Sequence, residues 1–127
     1  MANAPYYIGV AFQFNLGSQG LFSKRVDGDL VQDSLSQITL TGKGSRVMRR
    51  AFGCSLVSVV FDNMGPFLES VVNEFANEAI SNFETRVTVN EITVVSGTGD
   101  NTTVDGLIDY TFNGKSDTTK IPLQKIE

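Results

Sequence analysis

The 127-residue chain has no histidine, no tryptophan, one cysteine and three prolines. Without histidine there can be no Ser-His-Asp or Cys-His relay and no HExxH zinc site, and the commonest near-neutral general base is missing. Any catalysis would have to rest on carboxylates, Lys, Tyr or Cys54. A lone Cys54 cannot form an internal disulfide, and with Leu56 and Val57 after it, it reads as a packed thiol rather than a nucleophile. No stretch combines a basic start, an apolar run and a small-residue cleavage site, so a reduced chain without a signal peptide is expected. No apolar run approaches the roughly 18 to 20 residues of a spanning helix. A soluble protein with no membrane partner is therefore expected. Positive charge is also scarce: ten Lys and Arg stand against 14 Asp and Glu, a net charge of −4. That balance argues against wholesale binding to nucleic acid or anionic lipid, which need a dominant positive field.

Apolar residues make up 41% of the chain and include nine Phe, enough for one core and one domain over residues 1–127. Residues 1–26 are aromatic but broken by glycine, and suggest an extended lead-in with a short strand around Val10 to Phe14. Residues 27–83 read as helical. Asp27 or Asp29 can cap a helix to about Thr39, with Leu30, Val31, Leu35 and Ile38 on one face and Gly42 as a stop. CSLVSVVF, residues 54–61, is predicted as a short helix. From Pro66 a long amphipathic helix is predicted, its apolar stripe running through Phe67, Leu68, Val71, Val72, Phe75, Ala76, Ala79, Ile80 and Phe83.

The period then changes to two. TRVTVNEITVVS and VDGLIDYTF read as strands, the second with Val104, Ile108, Tyr110 and Phe112 on one face. GTGDNTT between them is loop chemistry, and Asn113-Gly114 turns into TTKIPLQ, whose Pro122 marks an exposed edge. Residues 84–127 are thus the strand part. The predicted fold is α+β: N-terminal helices, one of them long and amphipathic, packed on a C-terminal three-stranded antiparallel sheet.

Four basic residues, Lys43, Arg46, Arg49 and Arg50, crowd into TGKGSRVMRRAFG beside three glycines. This is not a phosphate-binding loop, because Gln37 stands at the required first glycine and Gly44 where Ser or Thr should follow Lys43. DNTTVDG, residues 100–106, fails as a calcium loop with Val104 at its fifth position. Asn101-Thr102-Thr103 matches a glycosylation acceptor but lacks a secretory context. Glu74 and Glu78, four apart on a helix, would be the best carboxylate pair for glycoside hydrolysis, yet they fall on its polar face. Glu84 and Arg86 sit where helix gives way to strand, and their chemistry suits equally a local ion pair or an arginine aimed at a partner. No cofactor or metal site is expected.

The order of a helix, LTGKGSRVMRRAFG, VVFD, a long helix and FETRV before a strand pair resembles the baseplate wedge and sheath-initiator family of contractile phage tails, named for gene products W and 25. Thr41, Gly44 and Arg46 match that family's first turn, with Ser45 in place of Glu. Arg49, Phe52 and Gly53 match its second segment, with Arg50 in place of Pro, and Phe61 and Asp62 match its helix end. Glu84 and Arg86 match a Glu-Pro-Arg motif, with Thr85 in place of Pro. The resemblance spans roughly residues 25–124 and implies a structural protein that is not an enzyme, assembled in the host cytoplasm into a virion baseplate. It implies a wedge interface at Glu84, Arg86, Arg46, Arg49 and Arg50, facing a helical core bundle of wedge proteins. It also implies a sheath interface at Tyr110, Phe112, Lys120, Ile121 and Leu123, where strand addition joins the tail sheath subunit. Tube or hub proteins are further implied partners, with six copies per particle. Alternatives are a tail-associated muramidase, an anti-adaptor of the same fold, or a type VI secretion counterpart.

Overall fold

The computed structural model describes residues 7–12, 16–18, 20–56, 67–96 and 103–124. In chain order the elements are β1 (Ile8–Val10), β2 (Lys24–Val26), α1 (Asp27–Leu40), α2 (Leu68–Phe83), β3 (Val87–Ser96), β4 (Thr103–Phe112) and β5 (Lys115–Gln124). This is an α+β chain whose described residues hold two helices and a three-stranded antiparallel sheet in the order β3-β4-β5. Of the helix expected over residues 54–61, everything past Leu56 lies outside the described residues, as do Pro66 and the loop at 97–102.

Alternation along β4 turns Gly106, Ile108, Tyr110 and Phe112 inward, while α1 contributes Val31, Leu35 and Ile38 and α2 contributes Val72, Ala76, Ala79 and Ile80. Each fully buried Leu, Ile or Val stabilises by about 1.5–3 kcal/mol relative to exposure. α2 packs against β3 and α1, and α1 reaches β5. A bulge between Val89 and Glu91 breaks the inward alternation of β3 and restores it at Ile92. At the other hairpin Asn113 and Gly114 both take positive φ, +50° and +76°, as a two-residue turn between twisted strands requires. That turn carries β5 back to Lys115, three residues earlier than the apolar pattern reached.

The N-terminal segment differs from an extended lead-in. The strand lies at Ile8–Val10 rather than Val10 to Phe14, and it pairs antiparallel with Lys24–Val26. The reason is a pair of anchors. Two hydrogen bonds tie Tyr7 to Asp27: Tyr7 N–H donates to the side-chain Asp27 Oδ1 at 3.0 Å, and Asp27 N–H donates to the Tyr7 carbonyl at 3.0 Å. Phe12 N–H instead reaches Asp33 Oδ2 at 3.2 Å, which takes residue 12 off the ladder. The Tyr7 ring lies 6.0 Å from that of Phe112, so the hairpin touches the main sheet's core end.

Candidate assembly interface

The stretch from Thr41 to Cys54 closes on itself. Cys54 N–H donates to the Thr41 carbonyl at 2.8 Å, and Gly42 and Cys54 form a parallel bridge. Only glycine fits at 53: its φ is +114°, and a β-carbon there would lie 2.3 Å from the Thr41 carbonyl oxygen. Inside this neck, Gly44 N–H meets the Arg50 carbonyl at 2.9 Å and Phe52 N–H meets the Arg49 carbonyl at 3.0 Å. Phe52 is buried, its ring 4.9 Å from Phe83 at the end of α2. The guanidiniums of Arg46 and Arg49 lie over that ring, 4.2 and 5.4 Å from its centre, within cation–π range. Lys43 pairs with Glu78 at 3.6 Å in the open, a contact of little energetic weight.

The loop tip is unlike an ordinary solvated charge cluster. Val47 is 90% exposed and Met48 97%, and Met48 holds a left-handed φ of +63°. Two apolar side chains are thus held outward among Arg46, Arg49 and Arg50, all three exposed. Cys54, at the neck, is fully buried and directs its thiol to the Phe75 carbonyl at 3.3 Å. Burial pushes its pKa up, against backbone hydrogen bonds from Leu56 and Ser55 that pull it down, so the thiol stays protonated.

The corner between α2 and β3 is closed by Glu84, only 3% exposed. Its Oε1 accepts from Arg86 Nε and its Oε2 from Arg86 Nη2, both at 2.6 Å, a bidentate pair. Ser34 of α1 donates its hydroxyl to the same Oε2 at 2.6 Å. Burial acts to raise the Glu84 pKa, but the bonds from Arg86 and Ser34 and the guanidinium's charge outweigh it and hold the carboxyl below its usual range. The bond to Glu84 in turn raises Arg86. Arg86 also stacks over Tyr7 at 5.0 Å. The charge pair therefore joins α1, α2, β3 and the N-terminal hairpin. Glu84 has no free oxygen to offer a partner, so its part in an interface is to position Arg86.

The proposed sheath residues separate. Tyr110, Phe112 and Ile121 are core side chains, unavailable to a partner because the alternation that puts them on one face buries that face under the helices. Lys120 is exposed and pairs with Asp105 at 2.8 Å. Leu123 lies on β5 opposite Val104. β5 forms one border of the described sheet. Three residues went unnoticed in the sequence. Ser34 lies fifty positions from Glu84 with no local sign of their contact. Val47 and Met48 could have been singled out, as an apolar pair between arginines has no core periodicity.

This order of elements can be compared with known proteins. The sequence profile of the family described as baseplate wedge protein gp25 matches residues 26–117. The chain belongs to that family. Baseplate protein W of Escherichia phage P2 is 31% identical over 97 residues, covering 76% of this chain and 79% of its own length. Baseplate wedge protein gp25 of Enterobacteria phage T4 is 30% identical over 94 residues, 74% of this chain and 71% of its own. Among solved structures, a chain of the postcontracted pyocin R2 baseplate aligns with a TM-score of 0.64 at 25% identity, over 85% of this chain and 100% of its own. A protein of Geobacter sulfurreducens described as a candidate tail lysozyme shares the fold at a TM-score of 0.71 and 22% identity, over 78% of this chain and 91% of its own. As a gp25-family protein the chain is a structural baseplate component of a contractile tail, part of the virion. Among gp25-family landmarks, Gly53 and the Glu84–Arg86 pair are those whose geometric need is visible here.

Proposed function

We propose that this protein joins the baseplate wedge to the first sheath ring: the loop at 43–50 and Arg86 dock on an acidic helical surface of the wedge, and β5 pairs with the sheath subunit. The observation that carries this reading is the loop tip. Exposed Val47 and Met48, ringed by arginines that stack on Phe52, form a preorganised apolar and cationic plug in a chain of net charge −4. Charge complementarity then selects an acidic partner, and the apolar pair supplies the contact that excludes water. Six copies around the tail, with tube or hub proteins as neighbours, follow from the same reading.

The role is non-enzymatic. A glycosidase needs one carboxyl kept protonated beside a second one. Glu74 and Glu78 are exposed on α2, and the buried Glu84 is held ionised by Arg86. Among the described residues no cluster of His, Cys, Asp or Glu suits a metal ion.

Reversing the loop charge with Arg46→Glu, Arg49→Glu and Arg50→Glu together tests the wedge reading. The variant loses two exposed cation–π contacts of about 0.5–1 kcal/mol each and stays folded by circular dichroism. It is expected to be absent from purified baseplates. Baseplates that carry it at normal copy number would refute the docking role.

A further inference from the structure

The guanidinium of Arg86 is a rigid planar fork with five N–H groups. Its side edge, Nε–H with one Nη2–H, is taken by the two oxygens of Glu84, each at 2.6 Å. The end edge, formed by Nη1 and the second Nη2–H, makes no hydrogen bond among the described residues. Two parallel donors on that edge match the oxygens of a carboxylate, or two carbonyls at the end of a helix, approaching in the plane of the group. The Arg86 side chain is 27% exposed and that of Glu84 beneath it 3%, so a partner can reach the arginine but not the carboxylate.

A guanidinium also offers two faces on which an aromatic group can stack. One of them is already taken here. Tyr7 lies over it, its ring centre 5.0 Å from Cζ, and the ring is backed by that of Phe112, 6.0 Å away and buried at the end of β4. Arg86 is thus held in its plane by Glu84 and across its plane by Tyr7. The hairpin that begins beside Tyr7 is itself fastened along α1. Arg25 Nε stands 3.4 Å from Asp33 Oδ2, Phe12 N–H donates to the same oxygen, and Gly9 passes so close that a β-carbon there would lie 2.5 Å from Leu30 Cδ1. Tyr7, Gly9, Phe12 and Arg25 all precede residue 26, where the match to the gp25 family begins. The chain therefore adds, outside the part it shares with that family, a strap whose aromatic end bears on the arginine.

We propose that Tyr7 is a positioning residue for Arg86: its ring closes one face of the guanidinium and leaves the end edge for an in-plane carboxylate or carbonyl pair of the wedge. This rests on the wedge docking proposed above and specifies how Arg86 makes its contact. A long side chain already fixed in one orientation loses less conformational freedom on docking, so the strap raises affinity without touching the partner.

The test is calorimetric titration of the full chain with the purified wedge proteins of the same tail, together with NMR of the Arg86 side chain. Tyr7→Ala should weaken binding about two- to fivefold, the fold-change of one exposed cation–π contact. Tyr7→Phe, which keeps the π face, should bind as the native chain does. Tyr7→Leu, which keeps bulk against Phe112 without that face, should bind as weakly as Tyr7→Ala. In an Arg86→Ala background the Tyr7 substitutions should make no further difference. On docking, the Arg86 Nη1 protons should slow in exchange while Nε–H, already held by Glu84, keeps its signal. Native-like binding by Tyr7→Ala or Tyr7→Leu, or weak binding by Tyr7→Phe, would overturn the role of the ring. Equal weakening in both backgrounds would make Tyr7 a direct contact and overturn its action through Arg86. An unchanged Nη1 signal in a chain that binds would overturn the end-edge contact. Arg86→Ala binding as tightly as the native chain would remove wedge docking through Arg86 itself, a failure separate from that of Tyr7.

Discussion

Replacing Glu84 by Gln keeps the side chain's shape and removes its charge. In the native corner two Arg86 bonds and one Ser34 bond converge on the carboxylate. Charge-assisted bonds contribute roughly 1.5–3 kcal/mol each and neutral ones about 0.5–1.5, so neutralising two Arg86 bonds costs on the order of 2 kcal/mol. The Gln amide also turns an N–H₂ toward the guanidinium. Losing one partner of a fully buried ion pair costs about 3–5 kcal/mol; Arg86, 27% exposed, can recover some hydration, so a total of about 2–3 kcal/mol is expected. With a urea m-value of ~2 kcal/mol per molar, the midpoint near neutral pH falls by about 1 M. The pH dependence has a definite sign. The folded pKa of Glu84 lies below its ordinary 4.5. Its contribution is therefore complete above about pH 4.5 and is lost as pH falls through the folded value. Other carboxylates titrate alike in both proteins and cancel in the difference. The gap between the native chain and the Glu84→Gln variant should hold from neutral to about pH 4.5 and narrow below it in urea melts taken down to about pH 3. A gap of equal size at both ends of that range would show that the corner is held by packing rather than charge.

Gly53→Ala should cost about 2–4 kcal/mol, because the chain must move the Thr41 carbonyl and also hold a positive φ; a denaturation midpoint unchanged from the native chain would contradict the neck geometry. Cys54 should resist a disulfide-exchange reagent in the native state and react at the rate of unfolding, since it is fully buried with its pKa raised; prompt labelling at neutral pH would mean the neck opens. Purified protein should leave cell-wall murein intact, and turnover that disappears with Glu74→Gln and Glu78→Gln would establish the hydrolase alternative.

Much of the architecture was legible because period and turn chemistry agreed. The two-residue turn at Asn113–Gly114, the inward positions Ile108, Tyr110 and Phe112, and the apolar face of the helix over Asp27–Leu40 follow from local rules that the tertiary structure does not override. The expected cap does not: the cap position is Val26 with no side-chain cap bond, because the Asp27 carboxylate turns to the Tyr7 N–H instead. The N-terminal hairpin escaped notice because its strands are three residues long and its apolar groups, Ile8 and Val10 among them, stay exposed, leaving no alternation to read. The burial of Glu84 could not be read either. Acidic side chains are seldom fully buried, and what permits it here is the bidentate Arg86 together with a serine on another helix, fifty positions away. The sheath residues expose a related ambiguity: alternation tells which residues share a face, but only packing tells whether that face meets solvent or core.

Phe52 has a mechanical meaning. Its ring carries Arg46 and Arg49 on one side and bears on Phe83 on the other, one residue before Glu84 and four before the first residue of β3. A load applied at the loop tip thus enters the sheet through an aromatic stack and a bidentate ion pair, with little slack chain between. Under the docking proposed above, such a coupling would carry load from the loop to the sheet with little give in between.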